Sequence, residues 1–257
     1  MRFVRAAVTC LSAALFLSAQ PAKGNNLLMQ VSTIDALLSG LYNGEVHVSQ
    51  LLGSADFGIG TFDSLNGEMI VLKGRCYQVT SDGKVTVANE TIKTPFAAVT
   101  RFKADTTFDI PGMITLAELQ KKIDSTIVSV NYFYALHVRA HIVSAKARSV
   151  PAQKPPYRPL TEIVKTQPTF AFGKSNVDLV GYRCPPYVKG LNVPGYHLHI
   201  LSDDRKSGGH LLELTADSCV VEIDKIDKFE MMLPHDSGFA ARDFSVNKDD
   251  ALNKVER

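Results

Sequence analysis

The sequence has no tryptophan, only four cysteines among its 257 residues, and no excess of either charge. Past residue 17 no apolar run approaches the length that crosses a bilayer, which excludes a later membrane-spanning helix. Low-complexity tracts and internal repeats are also missing, so solenoids and tandem arrays drop out. Lys and Arg number 28 against 26 Asp and Glu. That balance gives no support to nucleic-acid binding or to electrostatic attachment to a membrane, and a small molecule is the expected partner. Cys10 falls in the leader described below, and Cys76, Cys184 and Cys219 are an odd set without close pair spacing. No disulfide framework can be built from them. One bridge stays open in an oxidising compartment, but buried thiols acting as small apolar groups are the expectation. With 45% hydrophobic and 21% charged residues, the chain is too apolar to be disordered and long enough for a sizeable core.

At the start, Arg2 and Arg5 precede an apolar run from Ala6 to Leu17 and the small residues Ser18 and Ala19, the pattern of a secretory signal over residues 1–19. Its removal would take the net charge from +2 to zero and implies export. The sequon at Asn89 matters only in a eukaryotic host. Ser32 to Asp35 resembles a capping box, and Ile34, Leu37, Leu38 and Leu41 then recur at helical spacing. From Phe57 the texture becomes alternating and β-branched, with Asp82-Gly83 marking a hairpin. A second capping box, Thr115 with Glu118, opens another short helix, and residues 127–148 read as β-rich. Pro151, Pro155, Pro156 and Pro159 can continue neither sheet nor helix, so a boundary is placed there. The expected class is α+β: two sheet-dominated domains of mixed β-sheet, 20–150 and 151–257, with a few short helices.

The densest chemical signal is the segment from Gly195 to His210, GYHLHILSDDRKSGGH. Residues two apart on a strand share a face, so His197 and His199 can present imidazoles together while Leu198 and Ile200 face away. The polar, Gly-rich stretch 202–209 lets the next strand return and bring His210 opposite that pair. Three neutral histidines suit zinc, and a three-ligand site leaves positions for water or substrate, as in catalytic rather than structural zinc centres. His-Glu-x-x-His is absent, which disfavours that kind of zinc protease. Cupin-like oxygenases also use His-x-His, with a carboxylate where Asp203 or Asp204 stands. Their other histidine normally comes from a more distant strand. A redox-metal oxygenase or isomerase and a non-catalytic metal-binding protein therefore remain as rival readings. His47, His137, His141 and His235 lack comparable grouping and are read as structural, and Asp203 to Lys206 as turn residues.

These motifs, together with FGIGTFDSLNGEMIVLKGRCYQV and KARSVPAQKPP, resemble the α-acetolactate decarboxylase family from about residue 27 to the C-terminus. The resemblance implies a carboxy-lyase that converts 2-acetolactate to acetoin and carbon dioxide. It makes His197, His199 and His210 the zinc ligands and places functional polar residues at Glu68, Arg148 and Glu256, with Thr61 lining the site. By the same resemblance zinc polarises the ketone and stabilises the enediolate, which is then protonated. No organic cofactor is implied, and the likeness suggests a homodimer.

Overall fold

The computed structural model describes residues 26–256. The expected leader lies outside them. The chain begins with strands β1 (Leu27–Val31), β2 (Val46–His47), β3 (Phe57–Thr61), β4 (Glu68–Leu72), β5 (Arg75–Val79), β6 (Val85–Val87), β7 (Lys93–Thr94) and β8 (Ala97–Thr100). It continues with β9 (Thr106–Thr115), β10 (Phe133–Arg148), β11 (Thr169–Phe172), β12 (Ser175–Cys184), β13 (Gly195–Ser202), β14 (Gly208–Ile226) and β15 (Lys228–Met232). Helices are short: α1 (Ile34–Leu38), α2 (Val48–Ser54), α3 (Leu116–Thr126), α4 (Leu160–Ile163), α5 (Ser237–Ala240) and α6 (Asp249–Glu256). None of the described helices is long and apolar enough to cross a membrane.

Two larger sheets carry the molecule, as the α+β expectation required. The first runs β15-β1-β8-β3-β4-β5-β6 and is mixed, because β1 pairs parallel with β15 and antiparallel with β8. The second runs β11-β10-β12-β13-β14-β9. In it β10 pairs with β12 along one edge and β14 along the other, while β13 joins β12 to β14. The pairings of these four strands therefore close on themselves. Leu136, Val138, Leu179, Leu198, Ile200 and Val221 meet in one core, together with Leu119 and Ile123 of α3. Burying each such side chain contributes roughly 1.5–3 kcal/mol. A second core lies between the sheets, where Phe57, Ile59, Ile70 and Leu72 meet Val180, Tyr182 and Leu201.

The boundary expected near residue 150 does not separate the sheets. β9 and β10, which precede it, belong to the second sheet, and β15, which follows it, belongs to the first. The sixteen residues of β10 explain the difference. A unit ending at 150 would leave both edges of that strand without the β12 and β14 ladders that satisfy its backbone groups. The proline-rich segment is an irregular connector from β10 to α4, in neither strand nor helix.

Local signals fared better. Thr115 and Glu118 form a reciprocal capping box on α3, and the Asp82-Gly83 turn joins β5 to β6. At α1 the cap is Thr33 rather than Ser32, with its hydroxyl accepting from the Ala36 N–H. Residues 127–132 precede the strand, which begins only at Phe133. Among the described residues the three cysteines, Cys76, Cys184 and Cys219, are free and buried, each in a different core cluster.

Candidate active site

Strand alternation delivers side chains from both sheets to one place. Glu68 shares its face of β4 with Ile70 and Leu72, and Thr61 shares its face of β3 with Phe57 and Ile59, so both point toward the second sheet. Thr61 and Glu68 sit directly opposite each other in the β3–β4 ladder. Across the gap, His197 and His199 share a face with Leu201, while Leu198 and Ile200 pack on the other side. His199 pairs with His210, and His210 with Arg148, giving a row across β13, β14 and β10.

Arg148 reaches that row through an irregularity. Tyr134, Leu136, Val138, Ala140 and Ile142 all enter the core that β10 shares with β12 and β14, but beyond them it is Ala145 and Ala147 that do so. Register shifts between His141 and Ser144 change the phase of the strand. Each inserted residue reverses which side chains face the core. Arg148 consequently turns to the histidines rather than inward.

One ring nitrogen from each of His197, His199 and His210 lies within 4.8 Å of the others. Oε2 of Glu256 is 3.9 Å from Nε2 of His197 and 3.8 Å from Nε2 of His210, and Oε2 of Glu68 is 3.7 Å from Nε2 of His199. All of these, with Arg148 and Thr61, line one cavity of about 40 Å³. The Thr61 hydroxyl donates to the carbonyl of Gly67 at 2.7 Å, so toward the cavity it can only accept. Burial keeps the imidazoles neutral. It pushes His197 down to about 3, helped by the Arg148 charge, and holds His199 and His210 well below the ordinary range. Burial also lifts the Glu68 carboxyl to about 8 and Glu256 to about 7, in both cases against the opposing pull of Arg148.

The donor set suits a cation. Nδ1 of His199 donates to the Met69 carbonyl at 2.9 Å, which turns the unprotonated Nε2 into the cavity. That Nε2 and Oε2 of Glu256 are buried with no hydrogen-bond partner among the described residues. Buried acceptors normally find a partner. Three converging neutral nitrogens flanked by two carboxyls are able to hold a metal ion.

The other expectations also found their places. The ring nitrogens of His137 are taken up by Asp178 and Glu222, and Nδ1 of His141 by Asp217. Asp204 caps the 202–206 turn by accepting from the Ser202 hydroxyl and the Lys206 N–H. Sequence reasoning missed the apolar wall that Leu37, Phe96, Leu160 and Val255 add to the cavity, and also the Leu65 turn. The helical spacing of Ile34 and Leu37 was the one available signal for that wall.

Fold and site together define an α+β enzyme with a buried histidine–carboxylate–arginine centre. A family model described as Alpha-acetolactate decarboxylase matches residues 28–246. The chain belongs to the alpha-acetolactate decarboxylase family, and it is a carboxy-lyase. An alpha-acetolactate decarboxylase of Methanosarcina mazei is 45% identical over 233 residues, covering 91% of this chain and 81% of that protein. One of Raoultella terrigena is 42% identical, with 90% of each chain covered. The crystal structure of the Bacillus subtilis strain 168 enzyme superposes with a TM-score of 0.87 at 35% identity, covering 90% of this chain and 99% of that one. Glu256 lies beyond the stretch the family model matches, so its place in the site rests on the geometry.

Proposed function

We propose that this chain decarboxylates 2-acetolactate to acetoin with zinc held by His197, His199 and His210. The observation that carries the reading is the convergence of three neutral imidazoles with Glu68, Glu256 and Arg148 in one buried cavity. When bound, zinc supplies a Lewis acid that draws electron density toward the ketone oxygen of a β-keto acid.

The chain's own groups do the rest. Arg148, buried at the end of β10, binds the substrate carboxylate and orients the bond to be broken. Its charge lies beside Glu68, Glu256 and the three histidines, and loss of the substrate carboxylate as neutral carbon dioxide removes one buried anion from that set. As that bond breaks, its electrons pass into the enediolate, and carbon then takes up one proton to give acetoin. Glu68 and Glu256, whose Oε2 atoms flank the histidine Nε2 atoms, are placed to hold that proton and deliver it. Leu37, Phe96 and Val255 keep bulk water from the carbanionic centre.

The deciding experiment measures acetoin formed from racemic 2-acetolactate by the purified mature protein, before metal stripping, after it, and after zinc is restored. Activity that vanishes and returns with zinc supports the reading. Folded, zinc-loaded protein that makes no acetoin would overturn it. We further propose export, carried by the residue 1–19 leader and checked by N-terminal sequencing of the secreted protein, and assembly as a homodimer, checked by light scattering.

A further inference from the structure

Between Thr61 and Glu68 the chain makes a 3-10 turn, Asp63–Leu65, in which Ser64 and Leu65 have φ of 60° and 56°. Side chains other than glycine rarely adopt this left-handed conformation. Among the described residues outside glycine with positive φ, Leu65 is the only large apolar one, and it is 1% exposed. The turn is fixed from several sides. Ser64 N–H donates to the Tyr42 carbonyl at 2.8 Å, and the Gln153 N–H donates to the Ser64 carbonyl at 2.8 Å. The Gly44 N–H donates to Asp63 at 2.7 Å, and the Gln78 amide to the Asn66 carbonyl at 2.8 Å. Such over-determined strain beside a reaction centre marks a side chain whose direction matters.

The direction is into the cavity. Leu65 lines it together with Leu37, Phe96 and Val255, while the polar groups sit on the histidine side. A substrate whose ketone, hydroxyl and carboxylate oxygens occupy that polar side presents its alkyl groups to the apolar wall. We infer that Leu65 is a specificity-determining residue, the stop that limits how large those alkyl groups can be. The inference rests on the proposed decarboxylation of 2-acetolactate. Of these four wall residues only Leu65 has a positive φ, and its turn is held by the hydrogen bonds of Ser64 and Asn66.

The test compares 2-acetolactate with its two homologues one methylene longer, one bearing ethyl on the carbinol carbon and one bearing propionyl in place of acetyl. Parent, Leu65→Ala and Leu65→Gly are assayed for kcat/KM, glycine being included because it takes the positive φ without strain should the alanine variant fail to fold. The ratio of kcat/KM for at least one homologue to that for 2-acetolactate is expected to rise on the order of tenfold or more, the scale on which one methylene is discriminated in an apolar pocket. Ratios unchanged for both homologues, with the parent active on 2-acetolactate, would overturn the assignment of Leu65 alone. A merely structural role would lower all three substrates in proportion. A parent inactive on 2-acetolactate would overturn this inference and the function it rests on together.

Discussion

Two buried groups of histidine and carboxylate stand on the same curled sheet and behave differently. At His137 every bond is made within the protein: Asp178 lies 2.7 Å from Nε2 and Glu222 2.8 Å from Nδ1, and Asp178 is further held by Arg205. At His197, His199 and His210 the carboxyl oxygens stop at 3.7–3.9 Å, too far for hydrogen bonds, and Nε2 of His199 and Oε2 of Glu256 are buried without partners among the described residues. The first group is complete without help and the second is not. Counting histidines in a sequence cannot tell these cases apart, because the difference lies in whether each ring already has a partner.

The largest effect that sharpens this contrast is expected from His210→Ala. Zinc affinity and acetoin formation should fall by more than the 10–100-fold that loss of an outer partner costs, with the fold kept, as read by metal analysis and turnover on one preparation. Glu68→Gln comes next. It should retain zinc while kcat drops by roughly 10²–10⁴-fold, the worth of a positioned proton donor or acceptor. A Glu68→Gln enzyme that binds zinc and turns over like the parent would remove that carboxyl from the mechanism. His137→Gln should do the reverse. Stability in urea should fall by about 1–3 kcal/mol, since the buried Asp178 loses a hydrogen-bond partner, while activity per folded molecule stays at the parent level.

Much of this contrast was legible before any coordinates. His-x-His with a Gly-rich return is a period-two signal, and period two is what the pleat enforces, so the three histidines followed from their own spacing. Arg148 did not. Its orientation depends on register shifts in β10 that reverse the alternation, and nothing between His141 and Ser144 announces them; family likeness alone supplied the residue. Glu256 belongs to a helix of eight residues whose packing against α1 and α4 is set by Leu252 and Val255, contacts too distant in sequence for periodicity to find. The sheet-rich class was readable from β-branched alternation. The assignment of β9 and β10 to the second sheet was not, because strand partners are chosen by the whole fold and not by the segment.

The smallest expected effect concerns pH in the metal-free protein. Glu68 near 8 and Glu256 near 7 stay protonated in the folded state above their ordinary 4.5. For these two carboxyls the folded chain binds protons that the unfolded chain has released, so their contribution to stability declines as pH rises from about 4.5 to about 8. His197, near 3 against an ordinary 6.5, works the other way, as do His199 and His210, also held well below the ordinary range, so these three contribute stability that is lost as pH falls below about 6.5. Thermal melts of metal-free protein should therefore peak at mildly acidic pH. Glu68→Gln should flatten the alkaline side, and a melt that rises steadily to pH 8 would contradict the sign.

The parallel pairing of β1 with β15 reaches into how the molecule is made. Leu27 lies beside Lys228, and Val31 beside Met232. A chain growing from its amino end thus holds β1 with one edge unmatched until nearly all the later strands have been synthesised. Early folding must then favour contacts local in sequence, such as the β3–β4 and β4–β5 pairings, and leave the edge of the first sheet for last. Interruption of synthesis before β15 would release a product whose open β1 edge invites other chains, so in this protein incomplete translation and aggregation should go together.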